Sequence, residues 1–415
     1  MARLKGFQKL TPVDEALNTF QSRVQIKKLK TVTVHLPSAL NRVLAEDIVA
    51  QGDLPRFDRS AVDGYAVRAE DTFEASQFKP KILSIAQSGK IGSRQAKPVW
   101  TGNPIPKDAD AAIMLENTKR VNDKIEVWSP LTPGENVSKK GEDIAQGQVA
   151  VSAGTRLKPH HLGLIAALGI AGVNVTEKPK IAILATGNEL VRVEEQPQEN
   201  QVFEVNKLVL SAMCAELDAE TIDLGIAKDD VDDIIDKLKA GFAADMIITT
   251  GGTSVGAPDL VPEAIDKIEK QGIIIHGIAM RPAMPTALAT ARGKPIIVLS
   301  GNPVAAMIGF EVFARPLICK MLGIKQEEPR PNVNARLTRK VTTALGRKTF
   351  VRVRVFRKNG EFFAEPVSAK GSGTISTMTQ ANGYVIVPEN REGLAEGEPV
   401  SVHLFDIVEA IDVNV

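Results

Sequence analysis

Acidic side chains recur where short apolar segments of the chain give way to turns. Carboxylate oxygens are the ligands that Mg²⁺ prefers, and Mg²⁺ commonly bridges substrate phosphates. Acids in the first turn of a helix also stabilise the positive end of the helix dipole. A magnesium site and helix capping are therefore both open interpretations of three acids: Glu189 after IAILATG, Asp229 after ETIDLGI, and Asp259 beyond MIITTGG.

A glycine-rich loop, TTGGTSVG, leaves one of these apolar segments and precedes a predicted helix. Glycine lets the backbone approach a ligand closely, and successive free N–H groups can bind an anion. The loop has neither the Walker A nor the G-x-G-x-x-G spacing, so the usual nucleotide fingerprints do not apply. Anion binding and a tight strand-to-helix turn are both open. The candidate binding residues are Gly251, Gly252, Ser254 and Gly256.

Two further loops carry groups that suit an anion. In SGNP, Asn302 is placed to cap a helix whose first residue is Pro303. Capping alone explains this pattern, but exposed helix N–H groups beside Gly301 would also face an anion. In RPAMP, Arg281 supplies a cation.

Three loops in the first third of the chain also combine polar residues with glycine. FDRSAVDGY contains Asp63, TGNP contains Thr101, and GED contains Asp143. An acid next to glycine is often only a turn former. Taken one at a time, these loops are therefore more typical of structure than of chemistry.

The elements that must position the later loops are clearest in residues 180–325. Short apolar strands alternate there with amphipathic helices, each with one apolar stripe at helical spacing. One stripe per helix against continuous apolar strands predicts a doubly wound, mainly parallel sheet. Ligands bind outside the carboxyl ends of the strands in such sheets. The predicted helices are 206–217, 230–241, 259–270 and 302–320.

The flanking segments have a different texture. Residues 55–143 combine frequent Pro and Gly with short strand-like runs, which predicts a mainly β domain. After Pro331, the alternating segment TFVRVRVF and an Asn359-Gly360 turn predict a second β domain. Three helices are predicted around the first β stretch. One begins at Thr11-Pro12 with Thr11 as its cap. A second lies within 31–50 after a short strand, and a third covers 159–172. We expect a multidomain α/β plus β protein with four domains: a helical linker domain (1–50 with 144–178), an inserted, mainly β domain (51–143), an α/β domain (179–327) and a small β domain (328–415).

Composition limits the classes of function. The 415 residues are too many for one core, and a formal net charge of +1 gives no electrostatic case for nucleic acid or an anionic membrane. Cys214 and Cys319 lack the spacing of a thiolate metal site, and Cys214 is expected as a buried helical thiol. No apolar run approaches the ~18 residues that span a bilayer, and no signal peptide is visible. The default expectation is a cytoplasmic protein.

Taken together, the loops form an ordered set. In order, spacing and domain texture they resemble the molybdopterin molybdotransferase family, which includes the MoeA proteins and the gephyrin E domain. The resemblance covers essentially the whole chain from Thr11 onward, and the first block is its most specific part. The segments are PRFDRSAVDGYAV, TGNPIPKDADAAIM, GEDI, ILATGNEL, TTGGTSVG and GNPVAA.

The resemblance implies molybdenum cofactor biosynthesis, in which molybdate or tungstate is inserted into adenylylated molybdopterin with Mg²⁺ and AMP is released. It implies a homodimer, with the linker domain in dimerisation and each active cleft between the α/β domain of one subunit and the inserted domain of the other. A molybdopterin adenylyltransferase is the protein partner that it suggests. Carried over by motif are Asp63, Asp143 and Glu189 as catalytic residues, Asp229 and Asp259 as metal ligands, and Thr101, Gly251, Gly252, Ser254, Gly256, Arg281, Gly301 and Asn302 as substrate-binding residues.

Three departures from the family pattern bear on the chemistry. Met284 stands where the basic-Pro-Gly-Lys-Pro loop has lysine, Ala305 stands where many relatives have serine, and Asn188 replaces the acid of TGDEL. The first two changes remove an ammonium and a hydroxyl group that would suit an oxyanion. They predict weak molybdate binding or the use of another oxyanion, such as tungstate.

Two other functions stay open at this stage. A molybdopterin adenylyltransferase of the same pathway would share the α/β domain, but the stand-alone enzyme lacks the SAVDGYAV segment and the C-terminal β domain. A non-catalytic scaffold like gephyrin would bind partner proteins without turnover. The acids retained in every motif except at Asn188 favour an enzyme.

Overall fold

The computed structural model describes residues 10–87, 89–253, 260–324, 330–367 and 373–410. The chain divides into two compact units: Met1–Val32 with Thr176–Val415, and Thr33–Val175. The architecture is multidomain, with α/β and β parts, as the sequence predicts.

The elements are numbered in chain order. The helices are α1 Val13–Arg23, α2 Pro159–Ala167, α3 Asn206–Glu216, α4 Val231–Gly241, α5 Leu260–Ile268, α6 Pro303–Gly309, α7 Arg315–Met321 and α8 Ser376–Thr379. Short 3₁₀ turns cover Leu36–Ala39, Ala69–Thr72 and Leu115–Asn117.

The strands up to residue 176 are β1 Thr31–His35, β2 Ile48–Val49, β3 Arg59–Ser60, β4 Gly64–Val67, β5 Lys81–Ile85, β6 Gln95–Val99, β7 Ala111–Met114, β8 Thr118–Val121, β9 Lys124–Val127, β10 Val137–Ser138, β11 Val149–Val151 and β12 Gly172–Thr176. The later strands are β13 Lys180–Thr186, β14 Leu190–Val191, β15 Val202–Phe203, β16 Glu220–Ala227, β17 Met246–Thr250, β18 Ile273–His276, β19 Met280–Arg281, β20 Ala287–Ala291, β21 Lys294–Leu299, β22 Asn332–Leu337, β23 Val341–Thr342, β24 Lys348–Lys358, β25 Glu361–Pro366, β26 Gly383–Val387, β27 Gly393–Leu394, β28 Pro399–Leu404 and β29 Glu409–Ala410.

The α/β part is built on a six-stranded sheet in the order β16-β13-β17-β21-β20-β18. The first four strands pair in parallel, β20 pairs antiparallel with β21, and β18 pairs antiparallel with β20, so the sheet is mainly parallel as predicted. The stripes of α4 and α5 pack into its core through Ile234, Leu238, Val261 and Ile265. Burying each of these large aliphatic side chains stabilises the fold by about 1.5–3 kcal/mol. Strand β20 was not predicted, because alanine in ALATA weakens the strand signal, and β18 was not predicted either.

Two other large sheets, both built from β segments, have separate cores. In the Thr33–Val175 unit the strand order is β7-β4-β6-β5-β9-β8, around buried Leu83, Ile113 and Ile125. The C-terminal sheet has the order β19-β24-β25-β22-β28-β26, with β29 also pairing with β24. Asn359 and Gly360 both have positive φ, 52° and 83°, which confirms the predicted hairpin turn between β24 and β25.

Two local predictions for the first fifty residues were wrong. Thr11 does not cap α1, because its N–H and C=O pair with the backbone of Gly277 and Ala279, and no side chain caps this helix. The helix expected within 31–50 is only the 3₁₀ turn Leu36–Ala39, and Asn41 follows it with a φ of 64°, a left-handed conformation that no α-helix accommodates.

The single helix predicted at 302–320 is interrupted between α6 and α7. A π-helical turn occupies Phe310–Ala314. Pro316 lacks an N–H group and cannot donate to the carbonyl oxygen of Val312, so regular α-helical pairing stops here. Among the described helices, none is both long and apolar enough to cross a membrane.

Candidate functional site

Four predicted loops follow the carboxyl ends of the parallel strands β13, β16, β17 and β21. Glu189, Asp229, Gly251 and Gly301 lie just beyond these ends, so the sheet topology gathers them at one edge. The glycine loop and the SGNP loop are neighbours, because a Cβ atom on Gly301 would lie 3.6 Å from the Gly251 Cα. We call this edge the carboxyl edge.

The glycine loop needs its glycines for an internal reason. Gly251 has a φ of 93°, and a Cβ there would overlap the carbonyl oxygen of Thr186. Gly252 has a φ of 67°, and its Cβ would lie 2.7 Å from Val261 Cγ2. The backbone of the glycine loop therefore lies close to the end of β13 and to α5. Three further predicted residues lie outside the described residues: Ser254, Gly256 and Asp259.

The acids of the carboxyl edge are held by the loops around them. The Asn188 N–H donates to Asp229 Oδ2 at 3.2 Å, and the Asp229 N–H donates to Asn188 Oδ1 at 3.1 Å. Glu189 folds back over Gly187, where a Cβ would lie 2.8 Å from either carboxylate oxygen. Gly187 has a φ of 152°. Both carboxylates are exposed, so they are accessible to a ligand.

One residue of the carboxyl edge was missed by the sequence reasoning. Asn206, the first residue of α3, donates through Nδ2 to Thr250 Oγ1 and to the Gly301 carbonyl oxygen, both at 2.8 Å. It is buried, with 7% of its surface exposed. The available signal was an asparagine at the start of a predicted helix, which by itself indicates only a cap.

Asn302 occupies the predicted cap position before Pro303, but its side chain makes no capping hydrogen bond. Its backbone N–H donates to Ser300 Oγ at 3.3 Å. The side chain is exposed, so it can contact a ligand instead of the helix end.

The Thr33–Val175 unit brings two of its predicted residues together. Thr101 donates its backbone N–H at 2.7 Å and its hydroxyl at 2.9 Å to Asp63 Oδ1. These two hydrogen bonds, the backbone one foremost, hold the pKa of Asp63 below its ordinary value. Asp63 is therefore an exposed, ionised carboxylate with its second oxygen available for other contacts.

In the GED loop, the neighbouring Glu142 is the acid that stabilises the turn. It accepts hydrogen bonds from the Ser138 hydroxyl and from the Lys139 N–H at 2.7 Å, which lower the pKa of Glu142. Asp143 donates its backbone N–H to the Leu54 carbonyl oxygen at 3.1 Å and exposes its side chain.

The loop with the family departures lies between β19 and β20. Arg281 is exposed, whereas Met284 is half-buried and its carbonyl oxygen accepts the Ile278 N–H at 2.8 Å. Ala305, in the first turn of α6, is 1% exposed. Arg281 is therefore an accessible cation of this loop.

These features define a multidomain α/β protein with an exposed acidic and glycine-rich carboxyl edge. Three family models match the chain: the MoeA N-terminal region (domain I and II) at residues 11–169, the probable molybdopterin binding domain at 182–320, and the MoeA C-terminal region (domain IV) at 334–405.

Related proteins match over nearly the whole chain. A molybdopterin biosynthesis protein of Methanocaldococcus jannaschii is 36% identical over 91% of this chain and 93% of its own length. The molybdopterin molybdenumtransferase of Bacillus subtilis is 33% identical over 95% of this chain and 94% of its own. The crystal structure of the MoeA molybdopterin biosynthesis protein of Pyrococcus horikoshii superposes with a TM-score of 0.83 at 34% identity, covering 96% of this chain and 100% of that one. The chain belongs to the MoeA family of molybdopterin molybdenumtransferases, as its motifs predict.

Proposed function

We propose that this enzyme works in molybdenum cofactor biosynthesis and inserts molybdate, or the related tungstate, into adenylylated molybdopterin with release of AMP. The observation that carries the proposal is the carboxyl edge, where exposed Glu189 and Asp229 lie beside a glycine loop in a member of this family. An adenylylated pterin presents a diphosphate link, which suits backbone N–H groups and carboxylate-bound metal.

The residues divide into three roles. Glu189, Asp63 and Asp143 are exposed carboxylates that would orient the oxyanion and the leaving group. The substrate-binding residues would be Thr101, Arg281 and the two loops at the carboxyl edge: Gly251, Gly252, Ser254 and Gly256, and Gly301 with Asn302. The substrate supplies the soft dithiolene sulfur ligands of the inserted metal, so the protein needs no cysteine pair for that purpose.

Magnesium fits the donor chemistry of the carboxyl edge. Within the described ranges, no group of three or more His, Cys, Asp or Glu side chains is close enough to hold a metal on its own. Mg²⁺ is often held by one or two carboxylates plus substrate phosphates, and Asp229, with Asp259 proposed beside it, would supply that pair. Mg²⁺ bound there would neutralise the diphosphate charge as AMP leaves.

The assembly is part of the same proposal. We propose a cytoplasmic homodimer in which the inserted domain of one subunit, with Asp63 and Thr101, completes the carboxyl edge of the other. The four domains would have the boundaries given by the sequence, and the linker domain would dimerise. A molybdopterin adenylyltransferase would deliver the adenylylated substrate.

The test is AMP release by the purified protein from adenylylated molybdopterin, with molybdate or tungstate and with or without Mg²⁺. Glu189→Gln and Asp63→Asn should lower turnover without loss of folding. Glu220→Gln is the matched control, because Glu220 is equally exposed but lies at the opposite end of β16. Binding of adenylylated molybdopterin without AMP release, whichever oxyanion is added, would instead indicate a scaffold. Unchanged turnover in both variants would refute the site assignment.

Shared sites are tested by mixing subunits. A heterodimer of an Asp63→Ala subunit and a Glu189→Ala subunit has one intact cleft and one doubly altered cleft. Partial activity should return relative to either homodimer. If such heterodimers form and remain inactive, each site is built within one subunit.

A further inference from the structure

A buried amide ties together three elements of the carboxyl edge. Asn206 begins α3, Thr250 ends β17, and Gly301 follows β21. Asn206 Nδ2 lies 2.8 Å from Thr250 Oγ1 and 2.8 Å from the Gly301 carbonyl oxygen. Both the glycine loop and the SGNP loop therefore start from positions that this one side chain holds.

The hydrogen bonds around Asn206 fix which way its amide faces. The Thr250 hydroxyl donates to the Ser300 carbonyl oxygen at 3.1 Å, so it can only accept from Asn206. The Gly301 carbonyl oxygen is also an acceptor. Both neighbours require N–H donors, and a flipped amide would place oxygen against oxygen. Both amide hydrogens are thus used.

The amide oxygen is left over. Asn206 Oδ1 is buried and has no hydrogen-bond partner within the part of the chain that the structure describes. The same holds for the Thr186 hydroxyl, which is in a residue 4% exposed at the end of β13. Buried polar groups in native proteins almost always have partners, so an amide oxygen left without one beside the two loops of the carboxyl edge is a candidate acceptor for a ligand donor.

We propose that Asn206 positions the substrate: Oδ1 accepts a hydrogen bond from a neutral N–H or O–H donor of adenylylated molybdopterin, while Nδ2 holds the two loops. The inference rests on the proposed function and adds a specificity residue to it. The donor belongs either to the pterin, through its ring N–H and amino groups, or to the nucleotide, through its ribose hydroxyls and adenine amino group.

The experiment measures dissociation constants by calorimetry without oxyanion, so that no turnover occurs. Asn206→Ala removes donors and acceptor. Asn206→Asp, measured at pH 5 where a carboxyl buried against the Gly301 carbonyl oxygen is protonated, keeps the acceptor oxygen and one O–H donor. The alanine variant should bind adenylylated molybdopterin about tenfold more weakly than wild type, the worth of one to two neutral hydrogen bonds. The aspartate variant should bind at least about threefold more tightly than the alanine variant. Separate titrations with molybdopterin and with AMP show which half carries the donor, since only that half loses affinity.

Asn382 provides the matched structural control. It is also a buried asparagine, donating from Nδ2 to the Val355 and Ile407 carbonyl oxygens at 2.8 and 2.9 Å, and accepting the Val355 N–H at 2.6 Å. Because its amide oxygen is satisfied and it lies directly before β26 of the C-terminal sheet, Asn382→Ala should lower the melting temperature and leave the dissociation constant unchanged.

The outcomes separate the two levels of the proposal. A folded Asn206→Ala variant with wild-type affinity, or an aspartate variant that binds no more tightly than alanine, overturns the acceptor role. Asn206→Leu, which fills the same space without polar atoms, replaces alanine if that variant does not fold. A wild-type protein that binds no adenylylated molybdopterin refutes the proposed function itself, and this inference with it.

Discussion

Replacing Gly251 by alanine tests whether the glycine loop is shaped by the protein's own packing. Gly251 combines a left-handed φ of 93° with a Cβ position that overlaps the Thr186 carbonyl oxygen. Gly293, in the turn between β20 and β21 of the same sheet, has a φ of 71° and nothing within 4 Å of its Cβ position. Alanine at either position would therefore have a strained left-handed backbone, but only alanine at 251 would also clash with a neighbouring atom.

The magnitudes follow from these two terms. A left-handed conformation costs a non-glycine residue about 1–2 kcal/mol, which is the whole expected loss for Gly293→Ala. Forcing a methyl group into packed structure costs roughly 1–3 kcal/mol more. Gly251→Ala should therefore lower the free energy of unfolding by about 2–5 kcal/mol.

Urea unfolding gives the loss of unfolding free energy for both variants, provided that the slope of free energy against urea concentration is unchanged. Hydrogen exchange then assigns them, because a multidomain chain need not unfold in one step. Faster exchange at the carboxyl ends of β13 and β17 is expected for Gly251→Ala alone. Equal losses for the two variants would show that the steric argument is wrong and that the loop has room for a side chain.

Three further predictions concern single groups. Thr101→Val should raise the pKa of Asp63 toward its ordinary value, as followed by carboxyl NMR. The lowered folded-state pKa contributes stability that is present above the unfolded pKa and lost as pH falls through the folded one. The variant should therefore be less stable than wild type at neutral pH, and this difference should disappear in acid, as measured by urea unfolding across pH. Burial raises the pKa of the Cys214 thiol to about 12, so this cysteine should resist iodoacetamide at pH 8 until the protein unfolds, as read by peptide mass spectrometry. Met284→Lys with Ala305→Ser should lower the molybdate concentration for half-maximal AMP release about tenfold; a low-micromolar wild-type value that does not change would mean that other groups hold the anion.

The sequence predicted the α/β part well because its signals are local. The stripe of α4 repeats at helical spacing, and its members Ile234 and Leu238 are fully buried as that stripe requires. The topology rule for parallel sheets then placed Glu189 and Asp229 at one edge without any knowledge of side-chain positions. Burial of Cys214 within α3 is confirmed for the same reason, since the helical pattern around it was unambiguous.

The missed contacts depend on partners far away in sequence. Thr11 has the local features of a cap, but its backbone pairs with Gly277 and Ala279, which no local pattern reveals. Asn206 likewise resembles a helix start, and its role appears only when Thr250 and Gly301 are brought beside it. The same applies to the reciprocal pair of Asn188 and Asp229, which lie on separate loops.

The loop after Arg281 is held mainly by hydrogen bonds to its backbone. Ala283, where the family pattern has glycine, is buried with a φ of 77°, a conformation that costs alanine about 1–2 kcal/mol. Thr286 nevertheless donates its N–H at 3.2 Å and its hydroxyl at 2.8 Å to the Ala283 carbonyl oxygen, and Met284 pairs through its backbone with Ile278. Backbone groups and the Thr286 hydroxyl therefore hold the path of this loop with alanine at 283 and methionine at 284. We expect the oxyanion preference of this enzyme to follow from the cations that this loop retains, with Arg281 foremost.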